Sequence, residues 1–169
     1  MNDGGGVTID ATGLAAPPIL SGGTTVRQFA LVGGSLTLRR LTLTTGGGNG
    51  PTGGNAAGGA VRNVGSTFFA YDCTFQNNSA DESGGAFSNS GGTATATIER
   101  CTFTGNSTRS DNGTLDSAGA IVNAGTLTVR NCTFAGNNTW NTTTNGNSAA
   151  AILSIGPSLT LEHCTISGN

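Results

Sequence analysis

The amino-acid sequence predicts an all-β fold, a parallel β-helix of about six turns in which each turn of 28–32 residues holds three short strands. Three observations carry that expectation. Four cysteines stand 28, 31 and 32 residues apart, and each opens the same phrase: Cys73-Thr74-Phe75-Gln76-Asn77-Asn78, Cys101-Thr102-Phe103-Thr104-Gly105-Asn106, Cys132-Thr133-Phe134-Ala135-Gly136-Asn137 and Cys164-Thr165-Ile166-Ser167-Gly168-Asn169. Periods of roughly 20–50 residues mark solenoids, in which stacked copies share one core. Around each phrase apolar and polar residues alternate with period two, the period of a strand. Glycine supplies 29 of 169 residues, a density that disfavours helices.

The elements follow in order from the columns that the copies align. The chain reads as one domain, 1–169, with an irregular first turn over 1–23 that includes Val7-Thr8-Ile9, and regular repeats over 24–169. Five positions before the Cys slot stand Leu36, Phe68, Ala96, Leu127 and Leu159, and three before it Leu38, Ala70, Ile98, Val129 and Leu161. Two after it come Leu43, Phe75, Phe103, Phe134 and Ile166, with Leu41 filling the slot in the earliest copy. Between them run Thr37, Thr97, Thr128 and Thr160, then Thr42, Thr74, Thr102, Thr133 and Thr165, residues suited to a pleated surface. These are two strands. They meet at a bend, because the alternation breaks where two non-core residues stand together: Arg39-Arg40, Tyr71-Asp72, Glu99-Arg100, Arg130-Asn131 and Glu162-His163. A third strand starts at a small-residue signature, Gly58-Gly59-Ala60-Val61, Gly84-Gly85-Ala86-Phe87, Ala118-Gly119-Ala120-Ile121 and Ala149-Ala150-Ala151-Ile152. Two residues past its apolar member stand Asn63, Asn89, Asn123 and Ser154. The connection from phrase to signature spans five residues in one copy (79–83) and eleven in three others (47–57, 107–117 and 138–148), so insertions gather at one corner. Turns stacked about 4.8 Å apart make a rod of roughly 30 Å.

Composition narrows the function. Charged residues are 9 % of the chain, against roughly 25 % in ordinary soluble domains. All seven basic residues are Arg and the net charge is −2, so the chain carries no electrostatic footprint for nucleic acid. No window approaches about eighteen apolar residues, so membrane insertion is not expected, and the start lacks the basic and apolar regions of a secretory signal. No polar cap is evident at either end. The expected partners are therefore a second copy stacked head to tail, which would give a filament, or the flanking β-helix of a longer protein.

The residue inventory bears on catalytic and metal chemistry. Four cysteines allow disulfides, a metal site or a buried ladder of small hydrophobes. Cys73, Cys101, Cys132 and Cys164 form no Cys-x-x-Cys pair, and His163 points away beside Cys164, so zinc is not expected. Leu41 in the same slot favours a reduced ladder; pairing between adjacent turns stays open, although parallel Cβ vectors suit it poorly. With Phe75, Phe103, Phe134 and Ile166 these cysteines are the expected core ladder. Asn63, Asn89 and Asn123, and the last Asn of each phrase, are read as stacked amides that bond one another and turn backbone. Asp72, Asp81, Glu82, Glu99, Asp111, Asp116 and Glu162 are scattered, no paired-carboxylate or Ser/His/Asp set appears, and no calcium loop spacing is present, so no catalytic residue, metal or cofactor is expected. Glu99, Arg130 and Glu162 share one outward column and are read as a salt-bridge ladder. Six Asn-x-Ser/Thr sequons, at Asn77, Asn106, Asn112, Asn131, Asn137 and Asn141, are what chance supplies in a chain this rich in Asn and Thr. The candidate contact loops hold Asn112, Trp140 and Asn141.

The two signatures resemble the paired motifs of the polymorphic outer-membrane protein repeats of bacterial autotransporters: a small-small-Ala-apolar group, and Phe-x-x-Asn. Residues 75–78, 103–106 and 134–137 match the second motif, and 166–169 has Ile for Phe; the first is best kept at Gly58 and Gly84 and drifts to Ala. The resemblance covers about residues 24–169. It implies a right-handed parallel β-helix, secreted or on a bacterial cell surface and often adhesive, with a host-surface or carbohydrate ligand. The expected function is a non-enzymatic extracellular structural rod, a fibre or part of a surface stalk or adhesin. Two alternatives follow from the same residues: an ice-binding surface made by the outward Thr rows, and a carbohydrate-active β-helix.

Overall fold

Backbone hydrogen bonds between equivalent residues of successive coils organise the molecule. The computed structural model describes residues 5–48, 56–110, 116–141 and 147–169. Every regular element among the described residues is a strand, 23 in all, and every pairing is parallel. No helix that could cross a membrane occurs among them. The chain is a parallel β-solenoid, the architecture its periodicity predicts and one compatible with a right-handed β-helix.

Sheet A stacks Gly6–Asp10, Ser35–Arg39, Thr67–Tyr71, Thr95–Glu99, Thr126–Arg130 and Ser158–Glu162. Sheet B stacks Ile19–Ser21, Thr42–Thr44, Thr74–Gln76, Thr102–Thr104, Thr133–Ala135 and Thr165–Ser167. Sheet C stacks Phe29–Val32, Val61–Val64, Phe87–Ser90, Ile121–Asn123 and Ile152–Ser154. Six strands in sheets A and B bound about five full turns, not about six: residues 6–21 add a strand to each of those two sheets and none to sheet C.

A fourth sheet was not foreseen. Sheet D joins Gly47–Gly48, Ser79–Ala80, Ser107–Ser110 and Asn138–Asn141, directly after the Asn turn, and Ser117–Ala118 pairs with Ser148–Ala149 beyond it. Each of the four coils that begin at Ser35, Thr67, Thr95 and Thr126 thus carries more than three strands. The reason is continuity: the Asn turn leaves the chain already aligned with the coil before, and Ser79, Ser107 and Asn138 donate their N–H groups to Gly46, Asn78 and Asn106. These strands are short and polar and hold no legible alternation.

The core is a set of vertical columns. Leu36, Phe68, Ala96 and Leu127 stack in register in sheet A, as do Leu38, Ala70, Ile98 and Val129. In sheet B Phe75, Phe103 and Phe134 stack face to face, with centroids 4.6 and 4.8 Å apart and planes within 2° and 7° of parallel. Phe68 meets Phe87 of sheet C at 4.9 Å. In the last described coil Leu161 is 43 % and Ile166 49 % exposed, whereas Val129 and Phe134 in the coil before are fully buried.

The small-residue signature has a steric cause. A Cβ on Gly85 would collide with the carbonyl oxygens of Gly119 and Ser107, and one on Gly119 with the carbonyl of Ala150. Ala150 stands in the same column of the last described coil.

Deleting a mid-stack ring leaves a cavity that the rigid coils cannot close. Phe103→Ala is expected to cost about 3–5 kcal/mol in urea unfolding. Ile166→Ala, in the same column but half-exposed, is expected to cost less than about 1.5 kcal/mol.

Candidate functional site

Two corners of each regular coil, on either side of sheet B, use left-handed backbone. At the bend between sheets A and B, Arg40, Asp72, Arg100, Asn131 and His163 have φ between 53° and 56°. These are the second members of the five outward pairs, so the pair is a bend because its second residue adopts αL. At the next corner Thr45 and Asn77 (φ 49° and 53°), then Gly105, Gly136 and Gly168 (φ 61–63°) do the same. Left-handed geometry disfavours residues with a Cβ; Gly relieves that cost in the later coils.

The residue after the second corner locks it. Asn78 Nδ2 donates to Leu43 O (3.1 Å) and to Asn106 Oδ1 (3.0 Å), Asn106 Nδ2 to Phe75 O and Asn137 Oδ1 (both 2.9 Å), and Asn137 Nδ2 to Phe103 O (3.0 Å) and Asn169 Oδ1 (2.7 Å). Each Oδ1 also accepts the backbone N–H of the Asn in the coil before, at 3.0–3.1 Å. Sheet C holds the second amide column. Asn63 donates to Asn89 and Asn89 to Asn123, each at 2.8 Å, and Asn123 to Ser154 Oγ at 3.0 Å. Its upper end is unmatched: Leu31 occupies the column in the coil before, and the buried Oδ1 of Asn63 has no hydrogen-bond partner.

The cysteines are free thiols. Cys73, Cys101 and Cys132 are buried and Cys164 is partly exposed. Cys73 N–H faces Cys101 Sγ at 3.4 Å and Cys101 N–H faces Cys132 Sγ at 3.3 Å, while the thiols lie 3.1–3.3 Å from the carbonyls of Tyr71, Glu99 and Arg130. Burial pushes the Cys101 thiol well above its ordinary pKa, which keeps it protonated and unreactive.

The outward charges pair differently from the expected ladder. Glu99, Arg130 and Glu162 do share a column. Arg130 reaches Glu162 at 2.6 Å, but Glu99 is held by its chain neighbour Arg100, which also reaches back to Asp72 at 2.8 Å. The bend explains the difference: αL at position 100 swings that guanidinium across the column. Hydrogen bonds from Arg100 and Arg130 hold the carboxyls of Asp72 and Glu162 below their ordinary pKa. The stabilisation from these pairs is present above the ordinary carboxylate range and is lost as pH falls through the lowered values. Being exposed, the pairs contribute little.

Among the described residues no group of three or more His, Cys, Asp or Glu could hold a metal ion. Asn112 lies outside the described residues. Asn141 ends a sheet D strand, and Trp140 beside it is 65 % exposed. Register places Trp140 against Arg109, and together with Asp81 they line a concavity that also includes Ser79, Ala80, Ser107 and Thr108. Arg109 and Asp81 escaped the sequence reading as companions of Trp140. The one signal for them was the short 79–83 connection above two long ones. No family model, curated protein or solved structure matches the chain.

Asn106→Ala removes an acceptor for Asn78 and the donor for two buried oxygens, and is expected to destabilise by at least about 2 kcal/mol in urea unfolding. Asn169→Ala, exposed to water in the last coil, is expected to cost less than about 1 kcal/mol.

Proposed function

We propose that the chain is a non-enzymatic structural rod, extended end to end by a further parallel coil, and that it works outside the cell as a fibre or surface stalk. One observation carries this reading: the last coil presents Leu159, Leu161 and Ile166 at its edge, in columns whose preceding members are fully buried. An unpaired parallel edge with an apolar inner row is a template for another strand. The first coil offers matching columns in Val7, Ile9 and Leu20, each half-buried. Head-to-tail stacking would set Val7 on Leu159, Ile9 on Leu161 and Leu20 on Ile166, continuing every column. Such a heterologous contact does not close and builds a filament. The repeat resemblance supports the secreted or bacterial-surface setting and the adhesive role.

The outward column opposes this contact between copies. Asp10 begins it and Glu162 ends it, so stacking brings two carboxylates to adjacent rungs, about 4.8 Å apart. A flanking coil that carries a cation at that rung would dock without the penalty. Negative-stain electron microscopy with light scattering at micromolar protein tests the reading. Asp10→Asn, which keeps the acceptor that caps Thr12, is expected to lengthen filaments relative to wild type, and added salt to do the same. Monomers under all these conditions would exclude copy-on-copy stacking.

A second reading rests on sheet B, where Thr42, Thr74, Thr102, Thr133 and Thr165 form an unbroken outward row over five coils. The parallel row two residues on, Thr44, Gln76, Thr104, Ala135 and Ser167, is interrupted, which weakens it as an ice-binding surface. If ice is the ligand, Thr102→Leu is expected to remove thermal hysteresis; if the face is merely solvated, wild type shows none.

A further inference from the structure

We infer that the concavity on sheet D is a binding subsite for a neutral pyranose ring. Its shape follows from connection lengths. The coil with the five-residue connection leaves sheet D after Ser79–Ala80, while the two coils below it run on through Ser107–Ser110 and Asn138–Asn141. The mismatch makes a ledge, and on it lies a cavity of about 230 Å3 lined by Ser79, Asp81, Ser107, Arg109 and Trp140. That is smaller than the roughly 300 Å3 at which sites for drug-sized ligands begin. It suits a single ring.

The lining specifies the ligand's chemistry. Trp140 supplies an exposed aromatic face as one wall, and the rest is hydroxyl, carboxylate and guanidinium. A peptide hot spot would need further apolar surface around the indole, and the cavity's lining supplies none beyond Ala80. A pyranose matches both parts: one apolar face of C–H groups to lie on the indole, and a rim of hydroxyls that donate to Asp81 and accept from Arg109. One acid and one base line the cavity, so a charged sugar would leave one of them opposed. Ser79 and Ser107 add hydroxyls that can donate or accept. This site does not depend on end-to-end stacking, because sheet D runs along the side of the rod.

Trp140 is the chain's only tryptophan, so its emission reports on this site alone. The full chain is titrated with cellotriose, chitotriose, mannotriose and, as the charged comparison, trigalacturonate. A saturable shift in emission with at least one neutral trisaccharide, at a Kd tighter than about 10 mM, is the expected result. Calorimetry then reads the variants: Trp140→Ala is expected to abolish binding, and Arg109→Ala and Asp81→Ala each to weaken it at least tenfold, with unchanged far-ultraviolet circular dichroism. No saturable response to any neutral sugar, a response to trigalacturonate alone, or folded Arg109→Ala and Asp81→Ala variants that bind like wild type would each overturn the assignment.

Discussion

The rod depends on making the same turn at the same residue in every coil. The Asn at the end of each phrase enforces it. Its side chain satisfies a carbonyl of the coil before, Phe75 for Asn106 and Phe103 for Asn137, while its oxygen receives that coil's Asn backbone N–H. A coil that slipped by one residue would lose these bonds together and turn its apolar row to solvent. The amide is buried, so water cannot stand in for the missing partners. The Phe stack, the thiol column and the alternating strands are built on a register that this amide sets.

Two costs are carried in return. Non-Gly residues occupy αL at the first bend of every regular coil, and Asn63 keeps a buried oxygen without a partner where its column meets Leu31. Both are tolerable because the neighbouring columns are long. The bend lets Cys73, Cys101 and Cys132 return to the inside, where a small, soft side chain fills a corner that Leu41 also fills. Cysteine there is packing material, buried in the core at all three positions.

What the sequence made legible and what it hid divide along one physical line. Columns repeated on every coil, such as 75, 103 and 134 or 74, 102 and 133, were readable because inward and outward environments recur with the period. Features that arise between coils were not. Sheet D was hidden because a strand two to four residues long with polar side chains has no alternation to detect. The partner of Glu99 was hidden because αL at Arg100 redirects a guanidinium, and a column alignment records position without direction. The glycine at 85 was readable as a signature and opaque as a cause until the carbonyls of Ser107 and Gly119 stood beside it. Asp81 and Arg109 were unreadable as companions of Trp140, since they meet on a ledge created by unequal connections.

The same constraint explains where ligand recognition can reside. Sheets A, B and C are held in register through their side chains, so substitutions there disturb neighbours above and below. After the Asn turn the chain makes only the short sheet D pairings before it returns at the small-residue signature, after five residues or eleven. Among the regular coils that corner changes length most. Unequal lengths on adjacent coils necessarily leave ledges, and a ledge on a rod is a concave surface supported by rigid strands, the geometry that holds a small ligand without ordering a loop. The arrangement divides each coil: three faces carry the repeated columns, and the fourth, where Trp140 stands exposed, varies in length from coil to coil.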